Sequence, residues 1–408
     1  MIDSIFSGYR RADGGVGIRN HVLVIYLVEC AHHVARQIVS ASDNPAVQLA
    51  GFPGCYPNEY ALRMMKKLAT HPNVGGALLV SLGCEGFNRS ALAAAISESG
   101  RPVETLVIQE EGGTRATIAK GAAAVSRIAE VAGETPRHPF GVGDLVVGAI
   151  CGGSDGTSGI TANPAVGRCF NQLVAAGATC MFEETGELIG CEQIMADRAV
   201  TPALGAEIKA AVDKAARYYA TLGYGSFAPG NADGGLTTQE EKSLGAYSKS
   251  GSSQISGLIK PGETPPGSGL YLMDVVPDGE VRFGFPNISD NAEIVEMIAS
   301  GCHLVLFTTG RGSVVGSAIS PVIKICANPE TYDRLSADMD VNAGAILTGA
   351  SSLDEIGAEI FEKVCELAAG RQSVSEELGH QEFILTYKSF EPSGPACLPH
   401  SQPTGIPK

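Results

Sequence analysis

No stretch of this 408-residue sequence is dense enough in lysine and arginine to make a basic face, and the formal net charge is −15. Nucleic-acid binding generally demands such a face, and anionic membrane surfaces are disfavoured for the same reason. A small acidic substrate is compatible with the charge, because a local arginine or lysine pocket can sit on an acidic protein. No apolar run approaches the length that spans a bilayer. The first eight residues lack the charged start and apolar core of a signal peptide. The eleven cysteines are odd in number, follow no disulfide framework and include no Cys-x-x-Cys. That argues against a stapled fold, a zinc ribbon or a thioredoxin-type site. Reduced thiols and a cytoplasmic location are the simplest expectation. Tryptophan is absent, and no internal repeat is evident.

What is present is a globular composition, 44% hydrophobic with 18% charged residues and 51 glycines. The length suits two or three domains, with a core that needs no disulfide or metal staple. After a polar, turn-rich opening over 6–20, apolar runs at 22–28, 47–52, 76–82 and 103–109 alternate with helical patterns at 31–40, 58–69, 88–99 and 114–131. Such alternation predicts a parallel sheet with helices on its faces. The runs are continuous, as strands buried on both faces should be. Each ends in polar or thiol residues: Cys30, Cys55, Cys84 with Glu85, and Glu110. Carboxyl ends of parallel strands share one edge, where ligands usually bind.

A Pro- and Gly-containing stretch over 133–143 marks a boundary, so the expected fold is α/β. A Rossmann-like parallel-sheet domain over 1–140 precedes a larger α/β domain over 141–408 with long glycine-rich loops. The second region turns on Cys151-Gly152-Gly153-Ser154-Asp155-Gly156, where an apolar run at 145–150 enters a glycine loop and Pro164 opens a helix. Glycines let a backbone approach a ligand closely, and the helix N-terminus behind favours an anion. A strand at 178–183 leads to Glu184, Thr185 and Glu187. Residues 224–253 read as a long loop, in which Lys242 and Lys249 could hold carboxylates. Further strands are expected at 270–275, 302–308, 322–327 and 382–387, and helices at 202–222, 291–300 and 354–369. A glycine-flanked Arg311 follows Thr308-Thr309.

In order along nearly the whole chain, several stretches resemble the altronate/galactarate dehydratase family. They are Gly8-Tyr9-Arg10, Val16-Gly17-Ile18-Arg19-Asn20, Gly83-Cys84-Glu85, Gly112-Gly113-Thr114, and Cys151 through Pro164. They continue with Pro229-Gly230-Asn231, Glu241-Lys242-Ser243 and Gly379-His380-Gln381-Glu382. The resemblance implies a lyase that removes water from a hexonate or hexarate to give a 2-keto-3-deoxy acid, with Fe2+ or Mn2+ as cofactor. A soft iron site suits thiolate and carboxylate ligands, here some of Cys84, Glu85, Glu110, Cys151 and Asp155, with Cys30 and Cys55 as secondary candidates. An iron–sulfur cluster on Cys30, Cys55, Cys84 and Cys151 is the alternative cofactor. Arg19 and Arg311 would clamp the substrate carboxylate, helped by Asn20, Ser154, Thr157, Asn163 and Thr309. Lys242, Glu110 or Asp155 would serve as acid or base. Relatives often carry a small all-β SAF-type domain before the Gly-Tyr start. Only seven residues precede it here, so a separate small subunit is expected, within an oligomer. The competing functions are the large subunit of a sulfolactate sulfo-lyase and a non-catalytic anion-binding subunit.

Overall fold

The computed structural model describes residues 5–56, 58–223, 228–279 and 289–385. The chain opens with β1 (Ile5–Arg10) and β2 (Val16–Gly17). It then alternates through β3 (His21–Tyr26), α1 (Glu29–Ser40), β4 (Val47–Gly51), α2 (Glu59–Ala69), β5 (Val74–Ser81), α3 (Arg89–Glu98), β6 (Val103–Val107) and α4 (Thr114–Gly133). These strands form a four-stranded parallel sheet in the order β4-β3-β5-β6. β7 (Arg137–Gly141) then returns to pair antiparallel with β1, completing a small sheet β2-β1-β7. That sheet was not expected in the turn-rich opening. β1 nevertheless alternates exposed and buried residues, the period of a strand covered on one face.

The remaining chain runs through β8 (Val146–Cys151), α5 (Ala162–Ala175), β9 (Thr179–Phe182), α6 (Glu192–Ala196), α7 (Pro202–Leu222), α8 (Pro229–Asp233) and α9 (Gln239–Ser248). β10 (Ile255–Ile259), β11 (Gly269–Met273), α10 (Asp290–Ala299), β12 (Leu304–Thr309), β13 (Val322–Cys326), α11 (Pro329–Leu335), β14 (Val341–Asn342), α12 (Leu353–Ala368) and α13 (Val374–Glu377) complete it. The seven strands form one wholly parallel sheet, β10-β11-β9-β8-β12-β13-β14. The expected parallel α/β architecture is borne out in both halves. Two local expectations are corrected. The segment over 224–253, read as loop, contains α8 and α9, with 224–227 outside the described residues. The strand expected at 382–387 is absent over 382–385, and 386–387 lie outside the described residues.

Three apolar cores order the layers. Val22, Val24 and Val80 pack with α1 and α4 on one face of the four-stranded sheet. Leu23, Ile25 and Leu79 on its other face join α2, α3 and α10 and run into Met181, Met273, Val305 and Phe307 of the seven-stranded sheet. The opposite face of that larger sheet packs on α5 and α12 through Val147, Ala149, Leu306, Phe170 and Ile360. α2 and α10 are thus sandwiched between the sheets, and Tyr60 of α2 bonds Glu296 of α10 there. Asn73 stitches the same junction, donating to the His303 carbonyl at 3.1 Å and to the Ile319 carbonyl at 3.2 Å. No helix among the described residues is long and apolar enough to cross a membrane.

Candidate active site

The chain order reverses beside β8, whose neighbours are β9 on one side and β12 on the other. Such a switch point leaves a crevice at the carboxyl ends of the strands. Here it is a cavity of about 790 Å³, walled by Cys151 to Ser154, Glu184, Gly186, Glu187, Tyr219, Lys242, Asp290, Glu293 and Arg311.

Cys151 ends β8 and is buried. Its Sγ lies 3.4 Å from both carboxylate oxygens of Glu184, from Oε2 of Glu187 and from Ser154 Oγ. The Cys151 N–H also donates to both Glu184 oxygens, at 3.3 Å each. The thiol and the two carboxylates offer donor atoms within 4.8 Å of one another, the one such group of three found among the described residues. One sulfur and two hard oxygens fit a borderline divalent transition metal better than a purely oxygen-seeking ion. Burial, then the Glu184 charge, pushes the Cys151 thiol well above its usual range. Burial and Glu187 raise the Glu184 carboxyl to about 8. Burial is the larger cause of both shifts and the neighbouring carboxylates add to it; a bound cation would favour the ionised forms.

α9 supplies the protein's own answer to that charge. Lys242 pairs with Glu187, and Lys249, just past the helix end, pairs with Glu184. The carboxylates these lysines hold are thus the candidate ligands themselves. Glu184 adopts φ 76° and ψ 46°, the one positive φ at a non-glycine residue among those described. That conformation costs about 1–3 kcal/mol and clusters at functional sites. Asp290, the first residue of α10, faces the same cavity across Gly152, where a Cβ would lie 2.1 Å from its Oδ2. Burial and the Glu187 charge raise its carboxyl to about 6.

Of the residues singled out in the sequence, Cys151, Ser154, Lys242 and Arg311 line this cavity. Arg311 bonds the Gly230 carbonyl and lies 4.0 Å from Asp233. Asp155 is turned into the loop instead. Its Oδ1 accepts from the Thr157 N–H at 2.9 Å, the Thr157 hydroxyl at 2.6 Å, and the Ser158 N–H and hydroxyl at 3.1 Å each. Its Oδ2 accepts from Asn328 at 3.1 Å. Asn163 is similarly engaged, with Gly245 and Thr308, and Thr309 accepts from the Gly312 N–H. Arg19 is spent on Glu376, at 2.7 and 2.8 Å, and Asn20 on Arg11 and the Ala132 carbonyl. Both line a different cavity. Cys84, Glu85 and Glu110 sit at strand ends of the four-stranded sheet, outside the cavity wall. Cys84 is exposed, and Glu85 caps its own turn through Ser81 and the Gly83 N–H. Cys30 and Cys55 are exposed as well, so the four thiols proposed for a cluster are split between a solvent-facing edge and a buried cavity. Glu184, Glu187 and Asp290 were given no role from sequence. The available signal was a Glu-Glu-Thr-Gly-Glu run directly after a buried strand.

A buried thiol among carboxylates at the switch point of a parallel sheet defines an α/β enzyme with a metal-competent cavity. Residues 142–390 match the family model described as D-galactarate/altronate dehydratase, C-terminal, and residues 8–133 match D-galactarate dehydratase/altronate hydrolase, second domain. The chain belongs to this family. It is 34% identical to the (2R)-sulfolactate sulfo-lyase subunit beta of Chromohalobacter salexigens, over 93% of this chain and 97% of that one. It is 31% identical to the galactarate dehydratase (L-threo-forming) of Escherichia coli, over 90% and 73%, and 29% identical to that organism's altronate dehydratase, over 92% and 76%. Dehydratases and sulfo-lyases are both lyases, and so is this chain.

Proposed function

We propose that the chain eliminates water across C2 and C3 of a sugar acid, an altronate-like hexonate or a hexarate, and releases a 2-keto-3-deoxy acid. The observation that carries this reading is the Cys151–Glu184–Glu187 triad inside a cavity that also presents Lys242, Asp290 and Arg311. Iron(II), or manganese, is the ion proposed for Cys151, Glu184 and Glu187 to hold. When bound it supplies positive charge where the substrate carboxylate gains electron density as its α-carbon loses a proton.

The remaining work belongs to side chains. The proton on C2 is weakly acidic and needs a base. Asp290 has a carboxyl poised near neutrality on the cavity wall, and takes it. Burial alone would lower the Lys242 amine, but the charge and hydrogen bond of Glu187, with the other acidic groups around it, together outweigh it and the net shift is upward. Lys242 is therefore an ammonium, suited to protonate the C3 hydroxyl as it leaves. The enol that remains tautomerises to the keto acid. Arg311 offers a planar fork for the substrate carboxylate. A cytoplasmic location, the division into residues 1–140 and 141–408, and a separate small subunit belong to the same proposal. The name "subunit beta" borne by the sulfo-lyase relative supports the last.

A second reading keeps the cavity and changes the leaving group. The 34% identity to the sulfo-lyase subunit over almost both full lengths favours sulfolactate, with C3 losing sulfite instead of water. Anaerobic turnover with Fe(II), with and without a small partner, decides between them. Keto acid from altronate or galactarate supports the hydro-lyase, and sulfite from sulfolactate replaces it. Failure of all three substrates with no bound metal would favour a non-catalytic anion-binding subunit.

A further inference from the structure

Glu184 enters the cavity from a backbone conformation that its own side chain disfavours, so neighbouring contacts must hold it there. One reaches Thr185, the next residue. The Thr185 hydroxyl donates to Asp274 Oδ1 at 3.2 Å, with the Met273 carbonyl at 3.5 Å. Asp274 follows β11 and is buried. Its Oδ2 accepts from Lys214 at 2.5 Å and from Lys260 at 2.6 Å. Both ammonium groups also reach Asp278 Oδ1, at 2.8 Å each. A carboxylate pinned by two cations has little freedom to rotate, so the acceptor offered to Thr185 is fixed in space. The helix that carries Lys214 braces the next residue too. Tyr219 of α7 packs closely against Gly186, where a Cβ would meet the ring at 2.0 Å. Asp274, Lys214 and Lys260 do not line the cavity.

We infer that Asp274, acting through Thr185, is a positioning residue for metal ligation, fixing the turn that aims Glu184 and Glu187 at Cys151. This rests on the metal reading of the triad. Groups that orient metal ligands from behind typically change affinity by about 10–100-fold when lost.

The test is anaerobic Co(II) binding to the full chain, read by the thiolate-to-cobalt absorption band and by Kd from chelator competition. Thr185→Val keeps the shape and removes the hydroxyl, and Thr185→Ser returns it. Lys260→Gln loosens Asp274 without touching the turn. The expected result is a Kd about 10–100-fold weaker with an altered band for Thr185→Val, restored by Thr185→Ser. Lys260→Gln should weaken binding in the same direction by a smaller factor. A folded Thr185→Val that binds with wild-type Kd and spectrum overturns the inference, as does a Thr185→Ser no better than Thr185→Val. If Thr185→Val does not fold, Lys260→Gln decides, an unchanged Kd there being the adverse result. A wild-type chain that binds no Co(II) removes the metal reading and this inference together. Binding in wild type with indifferent variants removes only the inference.

Discussion

Lys249 and Glu184 form an ion pair whose side chains are only 1% and 3% exposed. Burial tends to strip the Lys249 amine of its proton, but Cys151, Glu184 and Glu187 outweigh it and the amine stays charged. Removing one partner of such a pair leaves the other charge uncompensated, at about 3–5 kcal/mol. Lys249→Met should therefore lose about that much stability in urea unfolding of the metal-free protein, and excess divalent metal should recover part of it. A loss below about 1 kcal/mol, in the range of an exposed pair, would mean that Glu184 does not depend on the lysine.

Cys151→Ser should abolish the sulfur-to-metal absorption of the cobalt form. A direct ligand counts for more than the groups behind it, so affinity should drop more than about a hundredfold. Retention of the band would place the metal elsewhere.

Asp155 predicts the opposite pattern. Asparagine at this position turns one carboxylate oxygen into a donor facing either Asn328 or the Thr157 and Ser158 donors. Leaving buried groups unsatisfied costs about 1–3 kcal/mol. Asp155→Asn should lower the melting temperature while metal stoichiometry, measured by elemental analysis, stays at the wild-type value. Loss of the metal with unchanged stability would restore Asp155 as a ligand.

Arg311 should act on binding more than on chemistry. A hydrogen bond to a charged group contributes about 1.5–3 kcal/mol, so Arg311→Ala should raise KM roughly 10–100-fold with kcat changed far less. Arg311→Lys keeps the charge but loses the fork and should fall between. Steady-state kinetics on the substrate that turns over separates these outcomes.

His303 links the start of β8 to β2, accepting from the Val146 N–H and donating to the Val16 carbonyl, both at 3.0 Å. Burial lowers its imidazole from 6.5 to about 4. Between those values the unfolded chain binds a proton that the folded chain refuses. Stability from this group is therefore complete above pH 6.5 and is lost as pH falls toward 4. His303→Gln should remove about 3 kcal/mol of that acid-side slope, read from unfolding free energies across the window. An unaltered slope would assign the acid sensitivity to other groups.

The alternating runs made both parallel sheets legible, and Cys151 stood out because an apolar run delivers it into a glycine loop. Glu184 and Glu187 did not, because their meeting with Cys151 depends on β9 lying beside β8, which is a matter of sheet order. Asp155 is ambiguous in sequence for a local reason: an aspartate that organises its own turn, as this one does, and one that binds a metal have the same sequence surroundings. Cys84, Glu85 and Glu110 occupy equivalent strand-end positions on the other sheet, and nothing in strand periodicity says which sheet carries the cavity. β1 was hidden by Ser7, Gly8 and Arg10 within it, which break up any apolar run.

The wholly parallel larger sheet also bears on how the site comes into being. Each parallel pairing requires a crossover, and the central one joins Leu304 to Val147. Pairings so distant along the chain form late and slowly. Cys151 on β8, Glu184 and Glu187 after β9, and the lysines at α9 that pair with those carboxylates come together only when these crossovers are complete, so the nascent chain would offer an ion no foothold. On the metal reading of Cys151, Glu184 and Glu187, folding would precede loading, and the ion would enter a finished cradle through the cavity mouth.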